Sequence, residues 1–257
     1  MNIGGLVGAL LPLFFVLALG FLGPAQTSGR SIDTWLYLAL SFVGGYGDAA
    51  GFVLARAFTG HATGNLVLGA VATAAGDFPN ALSHFSAVAV FLIGVFLGAW
   101  VMQLRKPSRL SLVLAPELIL IVSAPLILPA HLGGTQAFVL CVSLALGLQN
   151  GAFRRVGGIG VHTTYLTGMI TSLISSAAEK YSSHLVPPSA SLYNPKIALI
   201  AQIWIAFILG ATSGAAATLR FKQWGMLGIG LILLLVILGL QLAMTTPQRD
   251  SGDSSSC

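Results

Sequence analysis

Charge is what this chain has least of. Asp, Glu, Lys and Arg make up 7% of its 257 residues, where a soluble domain carries about 25%. So little polar surface excludes a water-soluble fold. With 56% hydrophobic residues and a mean hydropathy of +0.89, the chain reads as a polytopic membrane protein in contact with the lipid bilayer. Cysteine is almost missing as well. Cys141 lies in an apolar segment and Cys257 is the last residue, which supplies neither a disulfide framework nor a metal-ligand spacing. No metal and no cofactor is expected. There is also no basic run with interleaved aromatics, so the net charge of +5 points to positive cytoplasmic loops and no nucleic acid partner.

Catalytic signatures are lacking too. His61, His84, His131, His162 and His184 do not fall into the HExxH spacing of a zinc protease, and no GxSxG elbow occurs. No GxxxxGK loop is present to cradle a nucleotide phosphate, which disfavours ATP-driven transport by this chain alone. The expectation is a protein that is not an enzyme.

Long apolar runs are what the sequence does have. Residues 3–23 are long enough to span a bilayer at about 20 residues per crossing. They lack the basic n-region of a signal peptide, so a retained helix is favoured over cleavage. Eight further segments follow, near 35–55, 60–76, 82–104, 110–130, 136–153, 161–178, 196–219 and 224–244. The fold expected is an all-α, polytopic transmembrane bundle of eight core helices, with a possible extra amino-terminal helix. Residues 1–29 form the apolar segment and its linker, 30–245 a single transmembrane domain, and 246–257 a polar, disordered tail. Residues 179–195 read as an exposed loop.

Lysine and arginine orient these segments. Arg56, Arg105, Lys106, Arg109, Arg154, Arg155, Arg220 and Lys222 follow the odd-numbered core segments; Arg30, Lys180, Lys196 and Arg249 lie at the other ends. Eight against four places the first set in the cytoplasm.

The second half echoes the first. Ser41, Gly45 and Asp48 align with Ser143, Gly147 and Asn150, and Thr63 falls over Thr167. Farther on, Gly94, Gly98 and Arg105 resemble Gly210, Gly214 and Arg220. The halves, about 33–131 and 135–245, would be a parallel repeat about an axis along the membrane normal.

Polar residues inside apolar segments mark the candidate site. Positions i, i+4 and i+7 share a helical face, so Ser41, Gly45 and Asp48 line one stripe and Ser143, Gly147 and Asn150 another. Asp48 is eight residues before Arg56, or about 12 Å into the membrane. A charge near the membrane centre costs roughly 2.5–3.5 kcal/mol on insertion scales. Asp48 is either a proton, cation or substrate site, or a structural carboxylate bonded to nearby backbone or to His61, Arg154 or Arg155. His61 and Asn65 stand beside Gly60 and Gly64, where Thr59 or Thr63 would cap a helix start. That arrangement suits an anion or a carbonyl-bearing ligand, or else close packing of Gly60 and Gly64 on the first core helix. Thr164, Thr167, Thr171 and Ser175 share a face that lines a polar path or simply bonds its own i−4 carbonyls. Glu117, after Pro116, is a second candidate for proton exchange, or half of a structural pair. Gly45, Gly51, Gly94, Gly98, Gly147, Gly168, Gly210 and Gly214 read as helix-packing positions.

Four stretches carry a family resemblance: GYGDAAGF (45–52), FTGHATGNLVLGA (58–70), LGLQNGAFRRVGG (146–158) and TTYLTGMITSL (163–173). With these the chain resembles the YoaK-type family of bacterial integral membrane proteins, a domain of unknown function, over about 30–245. The resemblance implies a multi-pass inner-membrane protein and carries no substrate or reaction with it. The residues themselves suggest a permease for a small solute, its path lined by Asp48, His61, Asn65, Asn150, Thr164, Thr167 and Thr171, with Asp48 or Glu117 coupling protons. The alternatives are a non-transporting scaffold that binds a lipid or partner protein, and, behind both, an intramembrane enzyme.

Overall fold

A computed structural model describes residues 28–105, 109–128, 133–153, 155–156, 159–160 and 195–245, with isolated helical positions at 168, 171, 174, 175 and 178. The expectations for residues 1–27, for most of 161–194 and for the tail from 246 lie outside the described residues. Among these residues regular structure is helical: α1 (Ser28–Ala55), α2 (Ala62–Ala74), α3 (Phe78–Val101), α4 (Arg109–Ile127), α5 (Gly134–Ala152), α6 (Pro195–Phe221) and α7 (Leu227–Thr245). A 3₁₀ turn, Lys222–Met226, joins α6 to α7. The one addition to an all-α expectation is a two-residue pairing of Arg155–Val156 with Ile159–Gly160.

Among the described residues four runs are long and apolar enough to cross a membrane: Thr34–Ala55, Phe78–Val101, Arg109–Ile127, and Ala198–Gln241, which takes in most of α6 and α7. Their outward faces carry large apolar side chains, among them Leu92, Ile93, Phe96 and Trp100 on α3 and Ile119 and Leu126 on α4. Lipid is the only solvent in which such faces are cheap. α1 is the central element, with Leu38, Leu40, Phe42, Val43 and Tyr46 all but fully buried.

Helix starts follow local chemistry. Gly76 takes φ 75° in the turn before α3, Asp77 caps that helix by accepting from the Asn80 N–H at 3.3 Å, and Pro79 occupies its first turn. That proline lacks only an N–H that would be orphaned there anyway. Prolines 116 and 125 lie inside α4, where each removes a helical donor.

Two parallel helix pairs hold the bundle together. Gly210 and Gly214 of α6 press on the backbone of Phe42 and Tyr46 of α1, while Gly45 faces the Phe207 carbonyl. Gly94 and Gly98 of α3 press on Leu144 and Leu148 of α5, while Gly147 faces the Phe91 carbonyl. In both pairs a step of four on one helix matches a step of four on the other, so the partners run in the same direction. Any Cβ at these glycines would strike backbone, which is why small residues are needed.

The second core segment departs from expectation. α2 has 13 residues, or about 20 Å, and cannot cross a hydrocarbon core of about 30 Å. The chain turns at Arg56, which has φ 55°, and Ala57 to Gly60 then run back beside Gly47 to Gly51. Helix α2 therefore begins level with Asp48 and not at the membrane edge.

Candidate functional site

Asp48 explains the return. It is 3% exposed, and its Oδ1 accepts the backbone N–H groups of Thr59 at 2.8 Å and Gly60 at 2.7 Å. Its Oδ2 is paired with Nδ1 of His61. A carboxylate has no proton to give, so His61 carries hydrogen on Nδ1 and leaves Nε2 pointing elsewhere. The Thr59 hydroxyl donates to the Gly47 carbonyl at 3.0 Å. Gly51 leaves room for the Thr59 side chain and the Ala57 carbonyl.

Asn65 holds the other side of the same turn. Its Oδ1 accepts from the Phe58 N–H at 3.0 Å and its Nδ2 donates to the Phe58 carbonyl at 2.5 Å. This satisfies both backbone groups of a residue that no helix or sheet could serve. Nδ1 of His84 on α3 lies 3.4 Å from the same Asn65 oxygen. The Phe58 ring fills the space over Gly64 and stacks on Phe52 at 4.9 Å between centroids.

The capping role given to Thr59 or Thr63 is a correction. His61 occupies the N-cap position of α2 without a side-chain cap bond, because its imidazole is turned to Asp48 and the Thr59 hydroxyl is used on α1. Gly60 precedes the helix and serves as a donor to Asp48; Gly64 meets Phe58 and not the face of α1.

The His61 side chain is 30% exposed. Its ring stands edge-on to Phe207 of α6, 5.7 Å between centroids, and 5.9 Å from Phe58. The arrangement is a carboxylate–imidazole pair in which the carboxylate is locked by backbone donors and the imidazole keeps a free edge. Chemically such a pair can bind a polar group or pass a proton through Nε2.

Other candidates are placed as follows. Asn150 is 5% exposed and donates to the Leu146 carbonyl of its own helix at 2.9 Å. Ser41 and Ser143, at corresponding places on α1 and α5, are fully buried with no hydrogen-bond partner for either hydroxyl. Glu117 is buried on α4, away from the Asp48 cluster, and neither oxygen has a partner. Thr164 and Thr167 lie outside the described residues; Thr171 is exposed and Gly168 half-buried. Two contacts escaped sequence reasoning: the Tyr46 hydroxyl donates to the Gly225 carbonyl at 2.6 Å, and Gln149 Nε2 donates to the Leu40 carbonyl at 2.9 Å. A polar group within an apolar helix was their only signal.

The chain is similar to the UPF0700 transmembrane protein YoaK of Bacillus subtilis (strain 168), 28% identical over 155 residues, which is 58% of this chain and 68% of that protein. No solved structure matches. Residues 36–240 match the family described as Protein of unknown function (DUF1275), a span that runs from within α1 to within α7 and includes the whole Asp48 cluster. The chain is a membrane protein of the DUF1275 family.

Proposed function

We propose that this protein is a permease for a small solute, sited in the cytoplasmic membrane of a bacterium, with the Asp48–His61 pair at the solute path. One observation carries the reading: a half-buried imidazole, braced by a buried carboxylate, stands where a short helix starts inside the membrane. Transporter sites commonly lie at such discontinuous helices, near the junction of internal repeats. Several contacts support a 4+4 repeat. Gly45 and Gly147 each face the carbonyl three residues before a glycine of the partner helix, Gly210 and Gly94 respectively. Gly214 and Gly98 likewise meet the residue just after Gly45 and Gly147. The first helix of each half thus packs on the third helix of the other. α1, α3 and α6 also end at Ala55, Val101 and Phe221, within four residues of Arg56, Arg105 and Arg220, in keeping with a cytoplasmic face there.

On this reading Asp48 positions and His61 contacts the solute, Asn65 holds the turn, and Asn150 with Thr164, Thr167 and Thr171 contributes from the second half. Proton coupling falls to Asp48 or Glu117. The protein is not an enzyme in this account.

One observation favours a scaffold as the second reading. The Asp48 oxygens and both ends of the Asn65 amide are already engaged by the turn, as they would be in a purely structural clamp. A thermal-shift screen of small metabolites on the purified protein separates the two. The permease reading expects a stabilising solute whose shift disappears in His61→Ala. A shift indifferent to His61, or none across the screen, favours the scaffold.

A further inference from the structure

Glu117 is the most isolated acid in the structure. It is 0% exposed, and both carboxyl oxygens lack a hydrogen-bond partner. It lies on the buried face of α4 that Val113, Leu114, Ile121 and Ala124 complete. Among the described residues, the elements packed on α4 offer it no counter-charge. α5 brings Cys141 as its one titratable group, α7 brings none, α3 brings His84, and the 3₁₀ turn brings Lys222, which is exposed at the turn's outer end. Glu117 is eight residues past Arg109, about 12 Å along the axis. An ionised carboxylate there would lack both water and a donor, the most costly state a side chain can hold in lipid. The neutral acid removes the charge and turns one oxygen into a donor. Pro116 beside it has no N–H, so the Leu112 carbonyl is left without its helical partner in the preceding turn.

We propose that Glu117 is held in the membrane as an un-ionised carboxylic acid, a proton-binding site and, among the described residues, the one buried acid open to an apolar carbodiimide. Asp48 is the contrast. Its oxygens already accept from the Thr59 and Gly60 N–H groups and face the Nδ1 edge of His61, where Glu117 has no partner. If the chain moves solute with protons, Glu117 carries the proton and Asp48 does not; that clause alone rests on the permease reading.

The modification chemistry is self-contained. A carboxyl oxygen adds to the central carbon of the carbodiimide, and the acid's proton passes to one of its nitrogens. The acyl group then shifts from oxygen to nitrogen, leaving a stable N-acylurea with no leaving group. A water-exposed acid such as Asp77, which accepts from Asn80 on the surface, adds instead to a soluble carbodiimide that takes its proton from water, and an added amine then displaces the urea to leave an amide.

The test treats the full chain in liposomes with dicyclohexylcarbodiimide, followed by peptide mapping by mass spectrometry. One adduct is expected, on the peptide that holds Glu117, with none on Asp48. Glu117→Gln should abolish it. A water-soluble carbodiimide with an amine should modify Asp77 and spare Glu117. Glu117 left unlabelled by the apolar reagent, or labelled equally by the soluble one, overturns the proposal. Mapping of the unaltered chain decides the matter even if Glu117→Gln does not fold, and no transport need be observed.

Discussion

The Asp48 carboxylate and the His61 imidazole meet across the return from α1 to α2, thirteen residues apart in sequence. Asp48 sits on a helix and His61 on the first residue after an extended strap, so their contact sets the depth at which α2 begins. With the Thr59 and Gly60 N–H groups on the same carboxylate and the Thr59 hydroxyl on the Gly47 carbonyl, it draws the strap back along Gly47 to Gly51.

Removing the carboxylate should therefore free the strap. Asp48→Ala leaves the Thr59 and Gly60 N–H groups and the imidazole unpaired in a buried site, at a cost of about 3–5 kcal/mol. Asp48→Asn keeps an acceptor for both N–H groups and should lose less, about 1.5–3 kcal/mol. Thermal unfolding in detergent orders the two variants. Equal stability for both would show that the backbone donors find other partners.

Asn65→Ala strips Phe58 of both its backbone partners, a loss of about 1–3 kcal/mol, confined to the turn. The local readout is tryptic cleavage after Arg56, an exposed residue at the reversal. Cleavage in membrane vesicles should speed up in Asn65→Ala and remain slow in the unaltered chain. No acceleration would mean that the Phe52–Phe58 stack alone holds the strap.

Gly45→Ala and Gly147→Ala test the paired helix junctions together. Each new Cβ strikes a partner carbonyl, that of Phe207 or Phe91, and overpacking of this kind costs about 1–3 kcal/mol. The two variants should lower the unfolding midpoint by similar amounts. A large effect at one site with none at the other would mark the junctions as unlike.

Tyr46→Phe removes the hydroxyl that donates to the Gly225 carbonyl and should cost about 1 kcal/mol. Its effect is read as a small drop in midpoint. An unchanged midpoint would show that the Gly225 carbonyl finds another donor.

Much of the bundle was legible from hydrophobic runs alone. α3, α4 and α5 start and stop within about four residues of the expected bounds, as element ends usually do. Segment 60–76 was read as a spanning helix because its apolar run is nearly long enough. What shortened it was a non-glycine residue, Arg56, in a left-handed conformation that no periodicity announces. The cluster was half legible. Asp48, His61 and Asn65 stand out as polar residues in an apolar stretch, and His61 is one of three basic partners, with Arg154 and Arg155, that the sequence offers to Asp48. That the Phe58, Thr59 and Gly60 backbones are what these side chains serve depends on the return of the chain, which is tertiary. Asn150 draws attention because it matches Asp48 in register, but its neighbour Gln149 also reaches another helix, donating to the Leu40 carbonyl of α1.

The central claim is that the start of α2 is open to a polar solute from water. Ala62, next to His61 and half-buried, reports on it as Ala62→Cys in a chain with Cys141→Ser and Cys257→Ser. A membrane-impermeant thiol reagent applied to oriented vesicles should label this position from one side. Val67→Cys, on the exposed apolar face of α2, should not react and serves as the lipid-facing control. Labelling at 62 with protection at 67 is the result the permease account predicts; a position 62 as silent as 67 from both sides would contradict it.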